Sequence, residues 1–155
     1  MIGALRADPR TMRLLLEESL STKARLRSMR DVLTRRGDSF DIKTHALTPL
    51  VNIARWAALS VESTEVNTRA RLQVAAGERA AARRRREDTD RVFDVLQRVR
   101  LRYQVAQFDR GETPTDVLEM KRLSPPLDRS LVAQAVREIA GVQRRMAGMS
   151  HYQVN

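Results

Sequence analysis

The chain has 155 residues, no cysteine, and 29 basic against 19 acidic side chains, which gives a formal net charge of +10. The lack of cysteine excludes a disulfide framework, a cysteine-bound metal and a cysteine nucleophile, and the hydrophobic share of 42% is too high for a disordered chain. The length fits one domain. We expect a cytoplasmic protein, because neither a signal-peptide pattern nor a bilayer-spanning apolar stretch is present.

Two helices are predicted in the N-terminal half. Asp8-Pro9 has the pattern of an N-cap followed by proline in the first turn, and the apolar spacing after it predicts a helix to about Thr34. The segment Gly37–Thr44 has no helical period and is predicted to be a loop. Thr48-Pro49 predicts a second helix start. The helix that follows, over about 49–61, is apolar on every side, which is typical of a helix in the middle of a fold.

Three more helices are predicted in the rest of the chain. A short one begins at Asn67 or Thr68, and a long one begins between residues 80 and 90 and ends at Gly111. The last helix starts after Pro125-Pro126. No segment has a convincing strand pattern. We therefore expect an all-α bundle of about five helices, in a single domain over residues 1–155 that forms part of a longer protein.

The long helix has apolar residues on two sides. Its main stripe, at helical spacing, runs through Val92, Val95, Leu96, Val99, Tyr103 and Ala106. Leu101 and Phe108 fall on the opposite side. The helix is therefore predicted to contact partners on two faces.

Arg55 is the one charged residue of the apolar second helix. A charge in that setting must be paired or must face a cavity. The preceding loop supplies Asp38 and Asp41, which allows a buried ion pair between loop and helix. The alternative is a guanidinium directed into a pocket for an anionic ligand.

Other arginines are weaker signals. The run Arg83–Arg86 points all around its helix and acidic residues follow at once, so we expect a solvated helical start and no specific nucleic-acid partner. Weak, salt-dependent phosphate contact is the alternative. Arg100 and Arg102 flank the main stripe of the long helix, with Gln104 further round. We expect flanking arginines to extend to water, unless one of them joins Arg55 at a cleft.

Motifs for catalysis are missing. There is no glycine-rich phosphate-binding loop. Asp88 and Asp90 lack the preceding glycine-serine turn of a nucleotidyl-transfer metal site, so we expect surface carboxylates. We expect no catalytic residue, no metal and no cofactor in this chain.

A series of short motifs, each weak alone, resembles a known family in order and spacing. They are Phe40-Asp41-Ile42-Lys43, Ala54-Arg55, Asn67-Thr68, Arg71-Leu72, Arg100-Leu101-Arg102, Gln104, Leu123-Ser124 and Gln143. The series is similar to the nucleotidyltransferase substrate-binding domain at the C-terminus of bacterial multidomain signalling proteins. The resemblance covers about residues 10–148, with departures near Asp116 and Glu119-Met120.

The resemblance implies a non-catalytic helical domain that binds a substrate or effector, partnered by a nucleotidyltransferase domain of the same polypeptide. The family's recurring polar positions fall here on Asp41, Lys43, Arg55, Asn67, Thr68, Arg71, Arg102 and Gln104. We expect the arginines to neutralise an anionic group of a small-molecule or protein substrate, while Asp41 and Gln104 orient it. The alternative for Asn67-Thr68 is a cap of the third helix.

Two other functions stay open. The chain could be a helical interaction module without a ligand, whose long helix docks the catalytic domain or a second copy to form a homodimer. A small helical ribonuclease is the less favoured alternative, because Arg145 and His151 resemble the arginine–histidine motif of some helical nucleases.

Overall fold

In the computed structural model, residues 8–25, 39–74, 80–123 and 127–152 are described, apart from the side chains of 80–86 and 149–152. These residues form five α-helices and two short strands, which confirms the all-α class. In chain order the elements are α1 (Pro9–Ser21), β1 (Ser39–Asp41), a π-helix (Lys43–Leu47), α2 (Thr48–Ser60), α3 (Thr68–Val74), α4 (Ala80–Asp109), β2 (Val117–Glu119) and α5 (Leu127–Tyr152).

Helix α1 begins as predicted and ends early. The carboxylate of Asp8 accepts hydrogen bonds from the N–H groups of Arg10 and Thr11, which confirms the N-cap. The helix stops at Ser21, because Thr22 is extended (φ −92°, ψ 109°). The predicted continuation to Thr34 is therefore wrong as far as residue 25, and the rest of it lies outside the described residues.

The small sheet contradicts the prediction that no strand is present. Strands β1 and β2 pair antiparallel, with Phe40 opposite Leu118 and Asp41 opposite Val117. Phe40 and Leu118 are buried, while Val117 is exposed. Each strand has three residues, which is too short for an alternating pattern to be recognised. The segment Gly37–Thr44, predicted as a loop, thus contains strand β1, and a helical run begins at Ile42.

Helix α2 is preceded by an unpredicted π-helix. Leu47 and Thr48 already have helical dihedral angles, so Thr48 is not the N-cap that the sequence indicated. Instead, Asp41 accepts a hydrogen bond from the N–H of Thr44 at 2.8 Å, just after the helical run begins. The end of α2 at Ser60 agrees with the predicted end.

Helix α2 is buried on one face only. Leu50, Ile53, Ala54 and Ala58 are buried, and Arg55 is exposed. This face contacts α1, the π-helix and α5, while α3 packs beside it. The prediction of a helix buried on every side is wrong, because Val51, Trp56 and Leu59 on the rest of the wheel remain partly accessible.

Helices α4 and α5 form the main pair of the core. Of the predicted stripe of α4, Val92, Leu96, Val99 and Tyr103 are buried, and Val95 and Ala106 are half-buried. They pack in one cluster with buried residues of α5 and α2, namely Val132, Ala135, Val136, Ile139, Met146, Leu50 and Ile53. Gly111 ends α4 as predicted, with φ at +72°, a conformation that favours glycine. Within the described ranges, no helix is long and apolar enough to cross a membrane.

Candidate functional site

The polar residues predicted as a binding site do not form one cluster of direct contacts. Arg55 points away from the core and is exposed, so neither a buried pair nor a buried pocket surrounds it. The side chain of Arg55 forms no hydrogen bond or ion pair with another described residue. The same holds for the side chain of Lys43, which is exposed in the first turn of the π-helix. Their predicted contact with an anionic ligand stays a prediction.

Asp41 has a local structural role at the start of the π-helix. Its two carboxylate oxygens accept hydrogen bonds from the N–H and the hydroxyl of Thr44, each at 2.8 Å. Partial burial acts to raise the pKa of Asp41, but the hydrogen bonds from Thr44 and the nearby His45 outweigh it. The pKa therefore lies below its ordinary value, and the carboxylate is ionised and already partnered at neutral pH.

Asn67, Thr68 and Arg71 lie together at the start of α3. The Asn67 side-chain oxygen accepts hydrogen bonds from the N–H groups of Arg69 at 2.9 Å and Ala70 at 3.3 Å. Arg71 donates from Nε to the carbonyl of Glu65 at 2.6 Å. The capping alternative is thus confirmed for Asn67. Thr68 is the first residue of α3 and is half-buried.

Arg102 and Gln104 of α4 contact two different segments. A terminal nitrogen of Arg102 donates to Oδ1 of the buried Asp128 at 2.6 Å, which ties α4 to the first turn of α5. Gln104 donates from Nε2 to Oδ1 of Asp116 at 2.9 Å. Neither side chain meets Arg55, so the predicted cleft between Arg55 and the α4 arginines is not formed by these contacts.

Side chains along one edge of α4 bind the segment 115–119. These contacts were not predicted from the sequence. Arg100 donates from Nε and a terminal nitrogen to both oxygens of Asp116, at 2.5 and 3.2 Å. The hydroxyl of Tyr103 accepts from the N–H of Glu119 at 2.9 Å. The buried side chain of Gln107 accepts from the N–H of Thr115 at 2.9 Å. The helical spacing of residues 100, 103, 104 and 107 was a visible signal for this edge.

A groove of about 250 Å³ lies between the N-terminal halves of α4 and α5. Its floor is apolar, with Val92 and Ala135 buried and Val95 and Leu131 half-buried. Its rim is polar. The residues that line it are Asp88, Arg91, Val92, Val95, Leu131, Gln134, Ala135 and Glu138. Each helix contributes residues at i, i+3, i+4 and i+7, which lie on one face of a helix. The sequence shows this spacing but does not show which two helices pair.

The groove carries two carboxylates and one guanidinium in a chain whose net charge is strongly positive. One oxygen of Glu138 accepts a hydrogen bond from Gln134 at 2.9 Å. Asp88 and Arg91 are exposed, and their side chains form no hydrogen bond or ion pair with another described residue. Small-molecule sites typically combine an apolar floor, which supplies binding energy, with polar groups that fix the orientation of the ligand. The groove has this composition.

The expectation of no metal and the nuclease alternative both stay predictions. In the described part of the chain, no group of three or more His, Asp or Glu side chains is placed to hold a metal ion. Arg145 is exposed on α5. The side chain of His151 lies outside the described set, so the proposed arginine–histidine pair stays untested.

Comparison with known proteins gives one match. No curated protein and no solved structure matches the chain. The family model described as "Putative nucleotidyltransferase substrate binding domain" matches residues 9–149. The match spans nearly the whole chain and confirms the resemblance noted in the sequence, so this chain belongs to that family.

Proposed function

We propose that this chain is a non-catalytic domain that binds a substrate or an effector for a nucleotidyltransferase module of the same polypeptide, and that the ligand occupies the α4–α5 groove. The groove is the observation that carries the proposal, because it is a concave site with an apolar floor and charged rim. The family description supports a substrate-binding role.

The size of the groove limits what it can hold. Typical small-molecule sites have about 300–1,000 Å³, and this one has about 250 Å³. A small ligand fits it entirely, and a larger one fits it in part. We infer that a larger acceptor would lie with one end in the groove and its reacting end in the catalytic module.

The predicted anion site has a reduced role in this proposal. Asp41, Asn67, Arg71, Arg102 and Gln104 are all engaged in hydrogen bonds within the domain. A ligand would have to replace those contacts in order to use the same atoms. Among the charged residues of the predicted site, only Lys43, in the π-helix, and Arg55, in the middle of α2, have side chains without a partner among the described residues. They are the positions at which an anionic group would bind.

Equilibrium dialysis of the domain against a defined mixture of nucleotides, amino acids and polyamines, read by mass spectrometry, tests the proposal. We expect the domain to retain at least one compound. Leu131→Trp, which fills the groove, should abolish that retention. Val66→Trp adds the same bulk at a loop position that is 81% exposed and should leave it unchanged.

Arg55→Ala separates the two candidate sites. Retention that survives this variant and is lost in Leu131→Trp supports the groove, and the reverse result supports the predicted anion site. A wild-type domain that retains none of these compounds would count against the ligand-binding function.

A second candidate function is supported by an independent observation. Leu101, Val105 and Phe108 of α4 are 62%, 48% and 73% exposed. Apolar residues grouped on a helix surface are typical of a docking site. We propose that the domain also serves as an interaction module.

A further inference from the structure

Helix α4 has an exposed apolar stripe, formed by Leu101, Val105 and Phe108, which we call the α4 stripe. At 100° per residue these side chains fall within about 60° of one another. The inner face of the same helix is buried against α5. The α4 stripe is thus an outer face, and the described part of the chain leaves each of its three residues 48% exposed or more.

The charges beside the α4 stripe have opposite signs at its two ends. Arg98 lies one turn before Leu101, and Asp109 directly follows Phe108. Both fall on the same flank of the stripe, about 60° and about 80° from Leu101 on the helical wheel. Both are exposed, and neither side chain forms a hydrogen bond or ion pair with another described residue.

We propose that the α4 stripe docks a second copy of this chain, with the two α4 helices antiparallel and Val105 near the two-fold axis. In this arrangement Leu101 lies against Phe108 of the second copy. Equivalent flanks of antiparallel helices face each other, so Arg98 comes within reach of Asp109 of the second copy, twice by symmetry.

The charge pattern favours a second copy over an unrelated partner. The surface is complementary to itself when one helix is reversed, because its basic end then meets its acidic end. A parallel pair would place this flank against the opposite flank of the second copy, so Arg98 and Asp109 would not meet. Charged flanks of this kind set partner choice and orientation in helix pairs.

The interface is small, so the association is weak in the isolated chain. Three apolar side chains and two charge pairs bury less than the area of a standard interface, and contacts below about 1,200 Å² in total are typical of weak complexes. We expect a dissociation constant of roughly 10–500 μM, which corresponds to about 5–7 kcal/mol.

Sedimentation equilibrium of the whole chain, in a concentration series that reaches about 1 mM, tests the proposal. The average mass should rise from 17.7 kDa toward twice that value. Phe108→Ser should leave a monomer throughout the series, and the matched surface variant Val66→Ser should associate like the wild type. Circular dichroism checks that each variant is folded.

A charge swap tests the antiparallel arrangement. Arg98→Asp and Asp109→Arg should each weaken association about tenfold or more, and the double variant with both changes should restore it. A wild-type chain that stays monomeric, or a dimer that Phe108→Ser leaves intact, overturns the proposal. Single charge variants without effect, or a double variant without rescue, overturn the antiparallel pairing.

Discussion

The side chain of Gln143 on α5 binds the backbone of the extended segment after α1 through both ends of its amide. Its Oε1 accepts a hydrogen bond from the N–H of Ala24 at 2.9 Å, and its Nε2 donates to the carbonyl of Thr22 at 2.8 Å. Gln143 and Ala24 are only 4% and 5% exposed. Buried backbone groups must be paired. The amide of Gln143 supplies the hydrogen bonds that a neighbouring strand would otherwise give this segment.

Replacement of this amide should destabilise the domain. Gln143→Met keeps the length of the side chain and leaves the N–H of Ala24 and the carbonyl of Thr22 without partners. Each unsatisfied buried group costs about 1–3 kcal/mol, and we expect a loss of about 2–4 kcal/mol in the free energy of unfolding. Urea denaturation measures it. Gln134→Met on the exposed side of α5 is the control and should change the free energy by less than about 0.5 kcal/mol.

Asp116 should be the most sensitive position of the segment between α4 and α5. It accepts hydrogen bonds from Arg100 and Gln104, with the Arg100 and Asp116 side chains only 31% and 20% exposed. We expect Asp116→Ala to cost about 2 kcal/mol, because it leaves a partly buried guanidinium without its partner. Asp116→Asn keeps one acceptor and should cost about half as much.

A double-mutant cycle separates the Arg100–Asp116 pair from other effects of these changes. Arg100→Met and Asp116→Ala, alone and together, give the coupling free energy from urea denaturation. We expect a coupling of about 1 kcal/mol. Additive effects would show that the pair contributes only through its separate contacts.

The sequence correctly predicted those helix ends that are set by contacts within a few residues. Asp8 is an N-cap, Asn67 is another, and Gly111 ends α4, each through hydrogen bonds or dihedral angles within a few residues. The end of α1 depends instead on Gln143, 119 residues away from Ala24. A contact of that separation leaves no periodic pattern at either end, so the sequence alone predicted too long a helix.

The candidate site also has one feature that stood out in the sequence and one that did not. Arg55 stood out because its neighbours are apolar, yet the apolar residues face several sides and Arg55 faces outward. The α4–α5 groove has no unusual residue, and its signal is the matched spacing of Asp88, Arg91 and Val95 with Leu131 and Glu138 on two helices. That signal becomes readable only when the pairing of the helices is known.

Protonation of Asp41 should weaken the start of the helical run at low pH. Its pKa is lower in the folded state than its ordinary value, so the folded state binds this proton less tightly than the unfolded state does. The stability contributed by ionisation is therefore fully present above the ordinary pKa and is lost as pH falls through the folded pKa. Asp41→Asn, an uncharged side chain of the same shape, should remove this contribution.

The difference in unfolding free energy between wild type and Asp41→Asn, measured by urea denaturation from neutral to acidic pH, checks this. We expect wild type to be more stable at pH 7 and the difference to shrink as pH falls below the ordinary pKa of 3.8. A difference that stays constant over this range would show that the charge of Asp41 is not what stabilises the turn with Thr44.

Substitutions of two apolar residues of α4 should distinguish an effect on stability from an effect on association. Leu96 is fully buried in the core cluster, so Leu96→Ala should cost about 3 kcal/mol in thermal or urea unfolding, through lost burial and a cavity. Phe108 is 73% exposed, so Phe108→Ala should change the unfolding free energy of the monomer by less than about 0.5 kcal/mol. Dilute protein, below the concentration at which copies associate, is needed for both measurements. A large loss of monomer stability in Phe108→Ala would show that this side chain packs within its own chain, and it would remove the basis for treating the outer face of α4 as a docking surface.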